Sequence, residues 1–383
     1  MKHFSFSCQG ASHTASEKPC QDSSASYSED GLSIIVVADG HGGERYFRSD
    51  IGSKICVEVT INAIKQFVSL NDTSIFHGCP FTQVGPLNGD CSLDKLQDVD
   101  NALRRLFASI ILAWNQEIEK YTLNNPPTEL ELEKVASEYI HSLTQGAALE
   151  KIYGCTLMAY VQTPEFWFAF HLGDGKCVSF HQDDPAIWKE PIPWDEKCFL
   201  NKTTSICDSE ALDEFRYCYQ GDGHYPAAIF LGSDGMDDSF GPIENLVDFY
   251  MQVIKLLSKD EEAATKSIIE TLPILSKRGS QDDMSVAFVY DSVAINNMLP
   301  VLIRSQIETI ENQVNDIGNK IRELQSKLEA IADATDNKSE IERNYAANDI
   351  ERYNATLERL NNKLNARKQE LAEINSGTTN PEI

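Results

Sequence analysis

Five short acidic motifs carry the residues in this sequence that could do chemistry. In chain order they are Gln21-Asp22, Asp39-Gly40-His41-Gly42-Gly43, Gly173-Asp174-Gly175, Ser233-Asp234-Gly235-Met236-Asp237-Asp238 and Gln281-Asp282-Asp283-Met284-Ser285. Hard divalent cations such as Mg2+ and Mn2+ take oxygen ligands in octahedral geometry and keep several waters. A few carboxylates therefore suffice, provided rigid elements hold them. Glycine beside an aspartate lets the backbone come close to an ion and offers its carbonyl as a ligand. A single Asp-Gly is ordinarily a plain turn. Five such signals, several of them abutting apolar runs, point instead to a cation site gathered from distant parts of the chain.

The elements around these motifs follow from the apolar patterning. Residues 32–38 are β-branched and end at Asp39-Gly40, which predicts a strand stopped by a turn. A helix is expected over about 44–68. An irregular insertion rich in Asn, Asp, Gly, Pro and Ser follows at 70–95. Helical patterns then cover about 96–121 and 129–149, separated by Asn124-Asn125-Pro126-Pro127. Strand-like runs fall at 156–162, 166–171 and 177–181. The stretch 183–225 reads as a flap with one or two further strands. Residues 227–231 form a buried strand that runs into Ser233-Asp234-Gly235. Helices at 243–258 and 260–277 precede a last strand at 284–290. Strands interspersed with paired helices predict an α+β sandwich, not a regularly alternating parallel sheet.

Together with Gly154-Cys155-Thr156, the ordered motifs resemble the type 2C protein phosphatases, the metal-dependent Ser/Thr phosphatases, and within them the bacterial branch. The resemblance spans residues 1–295. It implies a central β-sandwich flanked by helix pairs, a phosphoprotein substrate, and two Mg2+ or Mn2+ ions, with a third and weaker one in some members. Position by position, Asp39 matches the aspartate that bridges the two metals, and Gly40 the residue whose carbonyl is a ligand. Asp234 and Asp282 match the remaining carboxylate ligands. Asp22 matches an aspartate that holds metal-bound water, and Asp174 and Asp238 match acidic positions of the third ion. His41 matches the proposed general acid for the leaving alkoxide; the plainer role is a hydrogen bond to a ligand carboxylate. The implied reaction is in-line attack by a metal-activated water, with no covalent enzyme intermediate.

Three departures stand out. Gln21 replaces the Glu of many members, and Glu17 stands where many carry a phosphate-gripping Arg, which would remove a bidentate guanidinium. Lys18 and His13 are the candidates to contact phosphate in its place. The insertions at about 70–95 and 124–150 exceed the compact family pattern. The alternatives to a protein phosphatase are a catalytically silent scaffold of the same fold and a phosphatase for non-protein phosphoesters.

Totals narrow the field further. The 383 residues carry 59 acidic and 33 basic side chains, a formal net charge of −26, which opposes binding to nucleic-acid backbones and anionic membranes. Ten cysteines at irregular positions include no C-x-x-C pair, so they are expected as reduced thiols in a cytoplasmic protein. The first 18 residues lack the apolar core of a signal peptide, and no run approaches the ~20 apolar residues of a membrane span. Nucleophile-elbow, P-loop and Cys-x5-Arg patterns are absent from the sequence.

From Leu302 the texture changes. Ile303, Ile307, Ile310, Val314, Ile317, Ile321, Leu324, Leu328 and Ile331 alternate spacings of four and three, the seam of a coiled coil. Polar residues at 333–338 interrupt it, and Ser339-Glu340-Ile341-Glu342 resembles a capping box opening a second helix. Tyr353, Leu357, Leu360, Leu364, Leu371 and Ile374 form a second seam. A coiled-coil hairpin arm over 300–375 is expected, with an intermolecular coiled coil as the alternative and a flexible tail at 376–383. Recruiting a partner or pairing with a second copy is its expected use.

Overall fold

The computed structural model describes residues 1–85, 94–133, 135, 140, 149–182, 184, 186–199, 202–332 and 337–376. The chain forms two compact units, Met1–Asn296 and Asn297–Ile383.

The first unit is built on two antiparallel sheets. One runs β2 (Ser23–Glu29), β3 (Leu32–Ala38), β5 (Leu157–Gln162), β6 (Trp167–Leu172), β9 (Arg216–Gln220) and β4 (Thr82–Val84). The other runs β1 (Lys2–Cys8), β11 (Met284–Tyr290), β10 (Ala228–Gly232), β7 (Lys176–Phe180) and β8 (Trp188–Lys189). The period of a strand explains why β3 is apolar from Ile34 to Ala38. Ile35 and Val37 point into a core shared with Ile229, Leu231, Ala287 and Val289 of the other sheet. Ile34, Val36 and Ala38 point the opposite way, into a larger core covered by helices. A strand buried on both faces reads as a continuous hydrophobic run.

Helices α1 (Ala11–Ala15), α2 (Ser49–Leu70), α3 (Asp94–Asn124), α4 (Glu129–Leu132) and α5 (Ala211–Glu214) precede the second group. In α2 and α3 the pairing is close enough for Trp114 Nε1 to donate to the Gly52 carbonyl at 3.0 Å. The other sheet is covered by α7 (Ile243–Leu257) and α8 (Glu261–Arg278), reached through the short α6 (Asp234–Phe240). Tyr250 of α7 stacks on Phe230 of β10 with ring centroids 4.4 Å apart. The expected helix-flanked sandwich is the observed architecture.

The details depart from the sequence reading in four places. Strands β1 and β2 were not expected, because their faces alternate with serine rather than charge. Ser7 reaches across to Ser24 of the other sheet at 2.8 Å and bonds Ser285 of its own sheet at 2.6 Å. The described part of the 70–95 insertion is ordered: Phe76 is buried on a short turn of 3-10 helix, and β4 pairs with β9. Residues 86–93 lie outside the described residues. Of the helix expected at 129–149 the described residues include α4, opened by a Thr128–Glu131 capping box, and a helical Ile140; most of 133–148 lies outside the described residues. The helix expected from residue 44 starts at Ser49, after a single turn at Glu44–Tyr46.

The second unit consists of α9 (Ser292–Ala330), from Asn297 onward, and α10 (Asn337–Asn375). Upstream, Asp291 Oδ1 caps the start of α9 by accepting from Val293 and Ala294 at 2.8 Å. Helices α9 and α10 run antiparallel. Lys368 pairs with Glu311 at 2.7 Å, and Arg343 donates to the Ile331 carbonyl at 2.7 Å. Ile310, Ile321 and Leu364 are buried along the seam. Ser339 is not the cap of the second helix, which is already under way at Asn337. Residues 333–336 and 377–383, including most of the polar break and tail, lie outside the described residues.

Candidate metal centre

Strand register brings the acidic motifs to one end of the sandwich. Ser23 pairs with Ala38, so Asp22, just before β2, and Asp39, just after β3, leave side by side. Strand β10 ends at Gly232, opposite Lys176 of β7 and Val286 of β11. Asp234 at the end of β10, Asp174 in the β6–β7 turn and Asp282 before β11 therefore emerge at the same level.

Close backbone packing fixes the loops. A Cβ on Gly40 would lie 2.5 Å from the Gln21 carbonyl oxygen, so only glycine lets the Asp39–Gly43 loop lie against the segment carrying Asp22. Asp39 is held from both sides of its peptide. Its N–H donates to Thr156 Oγ1 at 3.0 Å, and its carbonyl accepts from the Thr156 N–H at 2.8 Å. A Cβ on Gly235 would lie 2.0 Å from the Asp283 carbonyl oxygen, so glycine here seats the start of α6 on the segment carrying Asp282.

The carboxylates face one another. Burial pushes Asp22 and Asp39 well above the ordinary carboxylate range, and the neighbouring charges push them further: Asp234 and Asp283 on Asp22, then Asp22, Asp234 and Asp174 on Asp39. Asp39 and Asp234 share a hydrogen bond between their carboxyl groups. Burial raises Asp234 to about 6, with Asp174, Asp282 and Asp238 adding to it. Asp174 is raised by burial as well. Asp22 is 5% exposed; the Ser233 and Ser285 hydroxyls bond to it, and its Oδ2 has no hydrogen-bond partner. Asp238 and Asp282 lie exposed at the rim. A set of hard oxygen donors gathered around buried Asp22, with one of its oxygens unpartnered, fits a divalent cation, which would relieve the mutual repulsion of the carboxylates.

The other sequence-predicted residues divide. Lys18 Nζ lies 3.4 Å from the Gly42 carbonyl, exposed beside the Asp39–Gly43 loop. His13 sits elsewhere: Nδ1 is 2.9 Å from Asp283 Oδ2, and Nε2 is 3.7 Å from Asp282 Oδ1. His41 turns its ring away from the carboxylates. Its Nε2 lies 2.7 Å from Ser205 Oγ, and the ring meets Tyr46 edge-on at 4.7 Å. Burial lowers it to about 4, against the opposing charge of Asp208, so it is neutral at pH 7. Its carbonyl accepts from Ser49 Oγ at 2.9 Å and Gln21 Nε2 at 3.1 Å. As placed, His41 anchors the loop through its backbone carbonyl and bonds Ser205 through its ring. Gln21 does through an amide what a carboxylate could not: Nε2 donates to that carbonyl and, at 2.5 Å, to Ser49 Oγ.

The sequence reading passed over Asp283, Ser49, Thr156 and Ser233 as working residues. Asp283 had a signal in the doubled Asp-Asp of its motif; the hydroxyls had none, because serines and threonines are common everywhere.

The family model described as Protein phosphatase 2C matches residues 9–273, and the chain belongs to that family. It is accordingly a protein serine/threonine phosphatase that works with divalent metal. Solved structures similar to it include PppA of Pseudomonas aeruginosa, described as a key regulatory component of the T6SS, at 17% identity and TM-score 0.44 over 76% of this chain and 96% of that one. The serine/threonine phosphatase Stp1 of Staphylococcus aureus matches at 11% identity and TM-score 0.42 over 76% and 95%. The catalytic domain of the phosphatase PstP, with two manganese ions, matches at 14% identity and TM-score 0.41 over 76% and 98%. Among curated proteins, none matches the sequence.

Proposed function

We propose that the chain hydrolyses phosphoserine and phosphothreonine in proteins at this carboxylate cage, with two Mg2+ or Mn2+ ions. The observation that carries the reading is the meeting of buried Asp22 with half-buried Asp39 and Asp234, an oxygen of Asp22 being left unpartnered. In this reading Asp39, the Gly40 carbonyl, Asp234 and Asp282 would hold the ions, and Asp22 would orient water. Asp174 and Asp238, one half-buried and one exposed, suit a third and weaker ion. When bound, such ions supply Lewis acidity and an activated water nucleophile at neutral pH.

The chain's own residues then position the phosphate. Lys18 is the better placed of the two candidates for the role that Glu17 cannot fill, because its ammonium already reaches the Asp39–Gly43 loop. His13 is committed to Asp283. Residues 1–295 form the catalytic region in this reading, and the arm over 300–375 recruits a protein partner or a second copy. A cytoplasmic setting is supported by the free thiols of the nine described cysteines. Among the described residues no helix is long and apolar enough to cross a membrane.

The test is hydrolysis of a phosphothreonine peptide by the full chain with saturating Mn2+. Activity should appear with the metal, vanish on chelation and be lost in Asp39→Asn. Absence of turnover on any phosphoester under those conditions would reject the reading.

A further inference from the structure

Asp283 is a charged side chain only 2% exposed, yet it is not one of the residues matched to a ligand role. Its Oδ1 accepts from the Gly10 N–H at 2.6 Å, and its Oδ2 from the Gln21 N–H at 2.6 Å. The same Oδ2 lies 2.9 Å from His13 Nδ1. The three partners come from one N-terminal segment, the α1 loop between β1 and β2. The acceptor comes from the far end of the catalytic unit.

Chain neighbours give this arrangement its meaning. Gln21 precedes Asp22, and Asp283 follows Asp282. One carboxylate thus spans the gap between two cage residues that are far apart in sequence. The Asp283 N–H in turn donates to Asp282 Oδ1 at 2.8 Å, fixing that rim carboxylate. Further bonds keep the α1 loop on the same segment: the Ser12 N–H and hydroxyl both donate to the Gln281 carbonyl, at 2.9 and 2.8 Å.

We propose that His13 and Asp283 act as a positioning pair that sets the separation of Asp22 and Asp282, and with it the affinity of the cage for divalent cations. The inference rests on the cage reading above and adds a role for two residues outside the ligand set. His13, Asp282 and Asp283 do bring ligand atoms within 4.8 Å of one another, which could itself suggest a cation site. Two backbone N–H groups already occupy the Asp283 oxygens, however, and a further ion there would compete with them. Even with His13 protonated, a buried pair of this kind would seldom be worth more to stability than an apolar pair of the same shape. Orientation is the use that remains. Partners of this kind behind metal ligands typically change metal affinity roughly 10–100-fold when removed.

Calorimetric titration of the full chain with Mn2+ tests the pair. Asp283→Asn keeps the shape and loses the charge, and we expect it to bind Mn2+ roughly 10–100-fold more weakly. His13→Ala should move in the same direction, and the double variant should bind no more weakly than Asp283→Asn, because the two act through one another. His13→Gln, whose amide N–H can reach Asp283, should recover part of the loss. Should Asp283→Asn fail to fold, the His13 variants decide alone. Unchanged Mn2+ affinity in the variants, beside a wild type that binds, overturns the pair. A His13→Ala chain with unchanged metal affinity but raised KM for a small phosphoester also overturns it, in favour of phosphate contact. A wild type that binds no Mn2+ overturns the cage and the pair together.

Discussion

Two acidic regions of the catalytic unit are made from the same chemistry and behave in opposite ways. In the cage, Asp39 and Asp234 face other carboxylates, and both are driven up by burial and like charge. Beside the start of α2, Glu131 meets the guanidinium of Arg48 in two hydrogen bonds of 2.7 and 2.9 Å, and Arg48 with the Thr128 cap holds it down at about 2. Arg48 also donates to the Asn125 and Pro126 carbonyls and to Tyr153 Oη, so it staples the following loop to the domain. The difference separates carboxylates that hold the fold from carboxylates suited to a cation. A carboxylate with its own arginine is architecture; carboxylates crowded by like charge are where a divalent cation would be stabilised.

Replacing the central ligand should break the comparison most sharply. Asp39→Asn should lower phosphopeptide turnover by more than ~100-fold, exceeding the roughly 10–100-fold typical of residues behind the ligands. The complementary measurement is thermal unfolding with and without metal. Mn2+ at about 100 times its dissociation constant should stabilise the wild type by about 2.7 kcal/mol, and Asp39→Asn should lose most of that gain. If chelation leaves the unfolding midpoint unchanged, the cage holds no ion.

His41 marks the edge of the cage. A general acid contributes ~100-fold or more on a substrate with a poor leaving group and little on a good one. Since the ring bonds to Ser205 instead, His41→Ala should slow a phosphothreonine peptide and p-nitrophenyl phosphate alike, by roughly tenfold or less. A large loss confined to the peptide would restore the proton-donor role.

The staple should respond in stability, not in chemistry. Arg48→Met should cost about 2 kcal/mol, below the ~3–5 for a fully buried pair because Glu131 keeps contact with water. The sign with pH follows from the lowered value. Glu131 is bound more tightly as an anion in the fold, so its contribution is complete above about 4.5 and is lost as pH falls toward about 2. Denaturant unfolding across that window should show a steeper acid limb in wild type than in Glu131→Gln.

Asp39, Asp174, Asp234 and Asp282 were legible as candidates because each lies beside a glycine or a buried strand, signals that survive in one dimension. Strands β3, β5, β6, β10 and β11 were legible for the same reason, as apolar runs. Serine contacts were not: in β1 and β2 the faces alternate with a residue equally common in loops, and only pairing with Ser24 and Ser285 gives Ser7 its role. The orientation of His41 was hidden too. The motif shows which loop it occupies, but Ser205, which holds the ring, is 164 residues away. The Arg48–Glu131 staple depends on a separation of 83 residues across an insertion with no periodicity.

The smallest expected effect concerns the arm. No residue matched to the cage lies beyond Asp282, and the helices pair through Glu311 with Lys368 and Arg343 with the Ile331 carbonyl. Many seam positions, among them Ile307, Val314, Leu324, Leu357 and Leu371, are only half-buried, as expected of two helices that cover one side of each other and leave the rest to solvent or a partner. Removing residues 300–383 should therefore change hydrolysis of a small chromogenic phosphate ester by less than about twofold, since surface changes remote from a site seldom exceed ±0.5 kcal/mol. Dephosphorylation of a protein substrate is where a recruiting arm would show its effect. A truncated chain that loses the small substrate as well would make the arm part of the catalytic fold, and the division between a chemical unit and a recruiting one would fall.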